Sequence, residues 1–373
     1  MRGLALGLAL AAVLAACGQN DAGRLATKPV GGNASTGKAI AERECRTCHG
    51  LDGKGVAPAI PNLAAQRERY IFEALMEYKM GTRPHAALKE LASHLSEAEL
   101  RNVAAYYASQ PPVKVAAAEA QASAHERGKQ LASACAKCHG ESGNAKTPGI
   151  PTLAGQQPHY LVAAIVEYHQ GERDTGSMKS MMRDSSRIEF EQLALYLSSQ
   201  IPVSRGPARS GDPKAGEPLS AVCGGCHGAR GVSADAATPS LAGQDPQYLS
   251  RAIKSYRTTR KNWGMQRFVA GLADRDIENI VAFYASQKPQ AAEAVPSSAQ
   301  ELAQKCDRCH DDDTNPSMSA PKMRGQDKDY LVMALRAYRD DKRRSSTMHN
   351  MASPYSNALI DSIASWYASQ PAK

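Results

Sequence analysis

The sequence predicts an all-α protein of four small helical domains in tandem, and three observations predict it. The motif Cys-x-x-Cys-His occurs four times in 373 residues, with first cysteines at 45, 135, 223 and 306. The successive spacings of 90, 88 and 83 residues exceed the 20–50-residue periods of stacked repeats and suit domains that each own a core. Around every motif apolar residues recur at helical spacing, and no segment shows the two-residue period of a strand. Length alone, at roughly 150 residues per domain, predicts two or three domains; the repeats raise the count to four. Charged residues make up 22% and hydrophobic residues 42%, a composition that excludes a disordered chain and a membrane bundle. Aromatic residues are only 5%. That is thin filling for four cores, each of a size that is marginal without a staple.

The chain opens with Arg2 and the apolar run Gly3 to Ala16, too short for the roughly 20 residues of a membrane span. A positive start, a short apolar stretch and small residues before a boundary read as a secretory signal over 1–16. The boundary Leu14-Ala15-Ala16-Cys17 resembles the lipobox of bacterial lipoproteins. Cys17 is therefore predicted to be the lipidated first residue of an exported chain, and Gly18 at the next position favours the outer membrane by the same resemblance. Residues 17–36, rich in Gly, Asn, Ala and Pro, read as a tether. Four domains follow at 37–111, 125–201, 212–288 and 297–373, parted by linkers rich in Pro and Ala.

Each domain repeats one order of elements. A short helical pattern such as Gly37-Lys-Ala-Ile-Ala-Glu-Arg-Glu44 leads into the motif. A Gly-rich loop and a Pro-led segment come next: Pro61-Asn-Leu-Ala-Ala-Gln66, Pro151-Thr-Leu-Ala-Gly-Gln156, Pro239-Ser-Leu-Ala-Gly-Gln244 and Pro321-Lys-Met-Arg-Gly-Gln326. A helix then carries paired tyrosines eight residues apart, Tyr70/Tyr78, Tyr160/Tyr168, Tyr248/Tyr256 and Tyr330/Tyr338; two turns put each pair on one face. A last amphipathic helix ends at Gln110, Gln200, Gln287 and Gln370. Ser96 with Glu99 and Ser186 with Glu189 have capping-box spacing before two of these helices.

The motif carries the chemistry. The pairs Cys45/Cys48, Cys135/Cys138, Cys223/Cys226 and Cys306/Cys309 use every cysteine after Cys17, and His49, His139, His227 and His310 follow at once. An exported chain usually spends cysteines on disulfides, but a histidine placed identically four times asks for another use. On a short helix, cysteines at i and i+3 face one side and can add to the two vinyl groups of one haem, and the adjacent imidazole then meets the iron. Zinc ribbons need two such pairs some 15–20 residues apart, and thioredoxin-like motifs need a βαβ context; neither condition holds. The sequence thus predicts four covalently attached haem c groups, with Cys45, Cys48, Cys135, Cys138, Cys223, Cys226, Cys306 and Cys309 as attachment points. The four histidines are the proximal ligands, and the haems fill the cores that the aromatics leave short.

A second axial ligand is sought by register. Twenty-two residues before the terminal Gln of each domain lie Leu88, Met178, Met265 and Met348. Met is the usual sixth ligand of a low-spin electron-transfer haem, so Met178, Met265 and Met348 are predicted iron ligands. Met181, Met182 and Met351 read as packing. For the first domain the sixth ligand stays open among His85, His94, Met76, Met80, water or nothing. His349, beside Met348, is a rival one residue out of register. His159 and His169 read as surface residues, and His125 as a linker residue without a role.

The ordered motifs resemble the dihaem cytochromes c of the c-four type, within class I, over nearly all of 37–370, as two such proteins in tandem. The departures are Leu88, Asp311-Asp-Asp313 after His310, and Met323-Arg-Gly325. The resemblance implies cytochrome c domains whose proximal histidine donates to the carbonyl of the Pro-led segment: Pro61, Pro151, Pro239 and Pro321. It also implies electron transfer between periplasmic or membrane partners, with a dehydrogenase or quinol-oxidising complex as donor and a terminal oxidase or another cytochrome as acceptor. Two alternatives stand beside the free carrier: the cytochrome subunit of a periplasmic dehydrogenase complex, and a haem enzyme or gas-binding protein using an open first haem. No acid/base constellation points to catalysis. The net charge of +8 does not argue for nucleic acid, because four haems bring eight propionates and no basic stripe carries interleaved aromatics.

Overall fold

The computed structural model describes residues 30–114, 122–173, 176–292, 298–311 and 319–372. Cys17, the signal 1–16, most of the tether, Asp312 and Asp313 lie outside the described residues. Every regular element among the described residues is helical. They form two compact units.

The first unit holds the described parts of Met1–Lys54, Leu63–Pro112 and Asp312–Pro321. Its helices are α1 (Ala34–Glu44), α2 (Arg46–His49), α3 (Glu68–Met80), α4 (Ala86–Ser93) and α5 (Glu97–Ala108). The side chain of Asn33 starts α1 by accepting from the Thr36 N–H at 3.0 Å, and Ser96 and Glu99 form the predicted capping box on α5. Helices α1 and α5 cross at Gly37, where a methyl group would collide with the Asn102 carbonyl; only glycine lets the two backbones meet. Ile40, Ile71, Phe72, Leu100, Val103 and Tyr107 build the core. The Tyr107 hydroxyl leaves that core to donate to the Gly50 carbonyl at 3.0 Å, so the last helix is tied to the residue following His49.

The second unit holds Gly55–Asn62 and the described parts of Val113–Asp311 and Lys322–Lys373. The second repeat runs through α6 (Ala124–Ala132), α7 (Ala136–His139), α8 (Pro158–Gln170), α9 (Gly176–Met182) and α10 (Arg187–Ser198). The third runs through α11 (Pro213–Leu219), α12 (Ala221–His227), α13 (Pro246–Ser255), α14 (Trp263–Val269) and α15 (Asp274–Ser286). The fourth has α16 (Ala299–His310), which carries its motif without a break, then α17 (Lys328–Arg339), α18 (Ser346–Ala352) and α19 (Asn357–Ser369). Gly128 and Gly216 repeat the crossing made by Gly37, against the carbonyls of Gln192 and Asn279. The fourth repeat has no glycine in α16; there the Tyr367 hydroxyl bonds the Ala303 carbonyl at 3.1 Å.

Repeats two and three meet through their Pro-led segments, by an exchange of side-chain amides with backbone. Gln244 Oε1 accepts from Thr152 N–H and Gln244 Nε2 donates to the Thr152 carbonyl, both at 2.8 Å. Gln156 returns the pair on Ser240, at 2.8 and 2.9 Å. Gln326 makes the same two bonds to Asn62, at 2.7 and 2.9 Å, inside this unit. Repeats two and four also touch, with Ala124 N–H on Ser362 Oγ and Ala358 N–H on Glu191 Oε2, each at 2.9 Å. The Glu191 carboxylate thereby sits at the N-terminus of α19, where the helix dipole favours a negative charge. The amide exchange thus joins repeats two and three.

Candidate haem-binding sites

In the first three repeats the motif lies at the end of the helix that precedes a Gly-rich loop. Glycine closes the turn after the first three histidines: Gly50, Gly140 and Gly228 have φ of 63°, 79° and 80°, a region that glycine enters without steric cost. In the fourth repeat Asp311 takes that place with φ of −108°. It anchors Arg324 together with Asp307, at 3.2 and 3.0 Å, which accounts for the departure from glycine there.

The ring nitrogen Nδ1 of His139 lies 3.0 Å from the Pro151 carbonyl, and that of His227 lies 2.8 Å from the Pro239 carbonyl. A carbonyl only accepts, so Nδ1 carries the proton and Nε2 keeps its lone pair, the tautomer that a metal-binding imidazole needs. Both rings are buried, and that burial pushes each below the usual histidine range, the proline carbonyl pulling weakly the other way. The cysteines agree with attachment to a flat ring: Cys45, Cys135 and Cys223 are half-buried, Cys48, Cys138 and Cys226 are exposed, and no disulfide joins them. Burial pushes Cys45 up to about 12 and Cys306 to about 11.

The predicted sixth-ligand positions fall on one structural feature. Leu88, Met265 and Met348 each occupy the third residue of a short helix, α4, α14 and α18, and Met178 takes the same place in α9. In three of these helices the residue before the first turn accepts the backbone N–H of that third residue: His85 Nδ1 from Leu88 at 3.2 Å, Asn262 Oδ1 from Met265 at 3.1 Å, and Ser345 Oγ from Met348 at 3.2 Å. All four side chains are half-buried. Met182 is in the core of the second repeat and Met181 is exposed.

Two histidines, His169 and His125, differ from expectation. His169 is not a plain surface residue, since its Nδ1 lies 2.8 Å from the Met182 carbonyl at the end of α9 and its ring meets Phe190 edge-on. His349 turns Nδ1 to the Tyr338 carbonyl at 2.9 Å, the kind of contact that leaves Nε2 with its lone pair in His139 and His227. His125 lies on α6 and bonds Ser199 Oγ through Nε2 at 2.9 Å. His159 is exposed as expected.

Sequence reasoning missed a set of arginines. Arg83, Arg173, Arg260 and Arg343 stack over Tyr78, Tyr168, Tyr256 and Tyr338 at 4.6, 5.5, 5.3 and 4.5 Å from the ring centres, and Arg83, Arg173 and Arg343 are buried. Such contacts are worth up to about 2 kcal/mol once desolvated. Where repeats two and three meet, Arg173 and Arg260 interact with Tyr160, Tyr248 and Tyr256, and burial pushes the Tyr160 phenol upward. Arg173 pairs with Glu167. Two guanidiniums in an interior of this kind leave positive charge that haem propionates would balance. The signal was in the sequence: each arginine trails its tyrosine by four or five residues in every repeat.

The tautomer of the buried histidines, the thiol pairs and the buried cations fit a covalently held haem. Family comparison agrees. A model described as Cytochrome c matches residues 34–110 and 125–200, and one described as Cytochrome C oxidase, cbb3-type, subunit III matches 213–283. Cytochrome c4 of Pseudomonas aeruginosa is 35% identical over 178 residues, 44% of this chain and 88% of that protein. The chain belongs to the cytochrome c family. A protein named thiosulfate dehydrogenase electron acceptor, from Stutzerimonas stutzeri, is 31% identical across 42% of this cytochrome and 78% of its own length. The crystal structure of reduced recombinant cytochrome c4 from Pseudomonas stutzeri aligns at 28% identity and a TM-score of 0.41, covering 45% of this chain and all of that one. This protein is an electron-transfer cytochrome with covalently bound haem c. Bound haem supplies a reversible one-electron couple. The carbonyls of Pro151 and Pro239 orient the imidazoles of His139 and His227, and burial keeps water from them. No helix among the described residues is long and apolar enough to cross a membrane.

Proposed function

We propose that this cytochrome carries four haems, one per Cys-x-x-Cys-His motif, and passes electrons singly between redox proteins at the periplasmic face of a bacterial membrane, to which Cys17 holds it by lipid. The domains are 37–111, 125–201, 212–288 and 297–373. His49, His139, His227 and His310 are the proximal ligands, and Met178, Met265 and Met348 the distal ones. The observation that carries the reading is the shared position of those three methionines, each the third residue of a short helix beside a motif-bearing domain. A thioether there closes the iron to substrates and raises its potential, which suits a carrier. The names of the thiosulfate dehydrogenase electron acceptors favour a periplasmic dehydrogenase as donor, with a terminal oxidase or another cytochrome as acceptor. Intact-mass analysis of the mature protein, together with a pyridine haemochrome assay, tests this. The expected result is a chain starting at a lipidated Cys17 and bearing the mass of four haems. Free thiols with no added prosthetic mass would end the proposal.

A further inference from the structure

The first repeat breaks the pattern at one place. Leu88 stands where the other repeats have methionine, and a leucine side chain offers iron no lone pair. Of the candidate side chains in this repeat, His85 is engaged in capping, and the others lie at the surface, against the apolar core or on backbone carbonyls. His85 accepts the Leu88 N–H on Nδ1; a neutral imidazole that accepts on one nitrogen carries its proton on the other, so neither nitrogen is left to bind a metal. His94 lies 73% exposed at the end of α4 with Nε2 on Glu90 Oε1 at 3.0 Å. Met76 packs against the apolar core, and Met80 is 62% exposed at the end of α3. Lys79 spends its ammonium group on the carbonyls of Ala92, Ser93 and Leu95.

We infer that the first haem has no side-chain sixth ligand and that it is a binding site for a neutral diatomic such as carbon monoxide or nitric oxide. The inference rests on the four-haem reading above and adds a second activity to one of the four sites. Leu88 supplies neither charge nor hydrogen bond, so the place favours a small neutral molecule over an oxyanion. In the second, third and fourth repeats the methionine thioether takes the same position and leaves no room for such a ligand.

The test is a titration of the full-length, dithionite-reduced holoprotein with carbon monoxide, preceded by a haem count. With four haems present, the expected stoichiometry is one carbon monoxide per four haems, and the oxidised protein should show one high-spin ferric signal by electron paramagnetic resonance. Leu88→Met, a near-isosteric change that cores tolerate, should abolish both. His85→Asn keeps a capping acceptor and removes the imidazole, so it should still bind one. Wild type that binds none, or Leu88→Met that binds as much as wild type, overturns the inference; gain of binding only in His85→Asn would assign His85 as the ligand instead. A count below four haems would fail the parent reading, a result separable from any of these.

Discussion

Helices α4 and α14 are the same device with different cargo. Each is short, each is capped by a side chain that takes the N–H of its third residue, and each follows an arginine stacked on a tyrosine. The third residue is Leu88 in one and Met265 in the other. On the proposed reading of Met265 as a ligand, the backbone that presents it is separable from the sulfur: the first repeat keeps the helix, cap included, and omits the thioether. Fold and coordination answer to different constraints. Capping and packing act through backbone groups and volume, and leucine satisfies both, whereas iron needs a lone pair.

The comparison can be broken from either side. The largest effect is expected from Met265→Leu, which copies the first repeat into the third. It should double the carbon monoxide stoichiometry and lower one potential by on the order of a tenth of a volt or more, since axial ligands command a range of about 0.8 V. A redox titration with unchanged waves would remove Met265 from the ligand set. Next, Gly216→Ala and Gly37→Ala should each cost a few kcal/mol by prising the first and last helices of a repeat apart, measured as urea unfolding midpoints; equal midpoints for wild type and variants would mean that the crossing relaxes freely. Asn262→Ala removes a cap and should cost about 1 kcal/mol, with a fraction of the third haem becoming high-spin as Met265 loosens. The smallest effect is expected from His125. Burial lowers its pKa below the usual 6.5, so the unfolded chain binds the proton more readily. The stability from its contact with Ser199 is complete above that value and is lost as pH falls below about 6.5. A stability profile of His125→Gln that retains the wild-type slope in this window would show that another group is responsible.

Much of the site was legible because its chemistry is local. Cys135, Cys138 and His139 lie within one turn and a half of helix, so spacing alone defines the group that they can hold. The capping boxes of Ser96 and Ser186 were equally readable, being contacts between residues three apart, and those of Ser123 and Ser298 could have been read the same way. The buried arginines were not recognised, because the spacing of four or five residues to a tyrosine does not by itself say that the pair is buried. His85 shows the limit most plainly: as a letter in the chain it was a candidate ligand, and only its distance to the Leu88 N–H assigns it to capping.

The sequence by itself determined the number of motifs, the helical class, the place of each motif's cysteines and histidine, and the register of the three methionines. Each of these follows from bonds or contacts within a few residues, or from repetition of such a set. Only the tertiary structure decided that repeats two and three exchange amides through Gln156 and Gln244, that repeats two and four touch through Glu191 and Ala358, and that His85 Nδ1 caps α4. Those depend on groups brought together from distant parts of the chain, or on which of two nitrogens faces a donor, and no local pattern of residues encodes either.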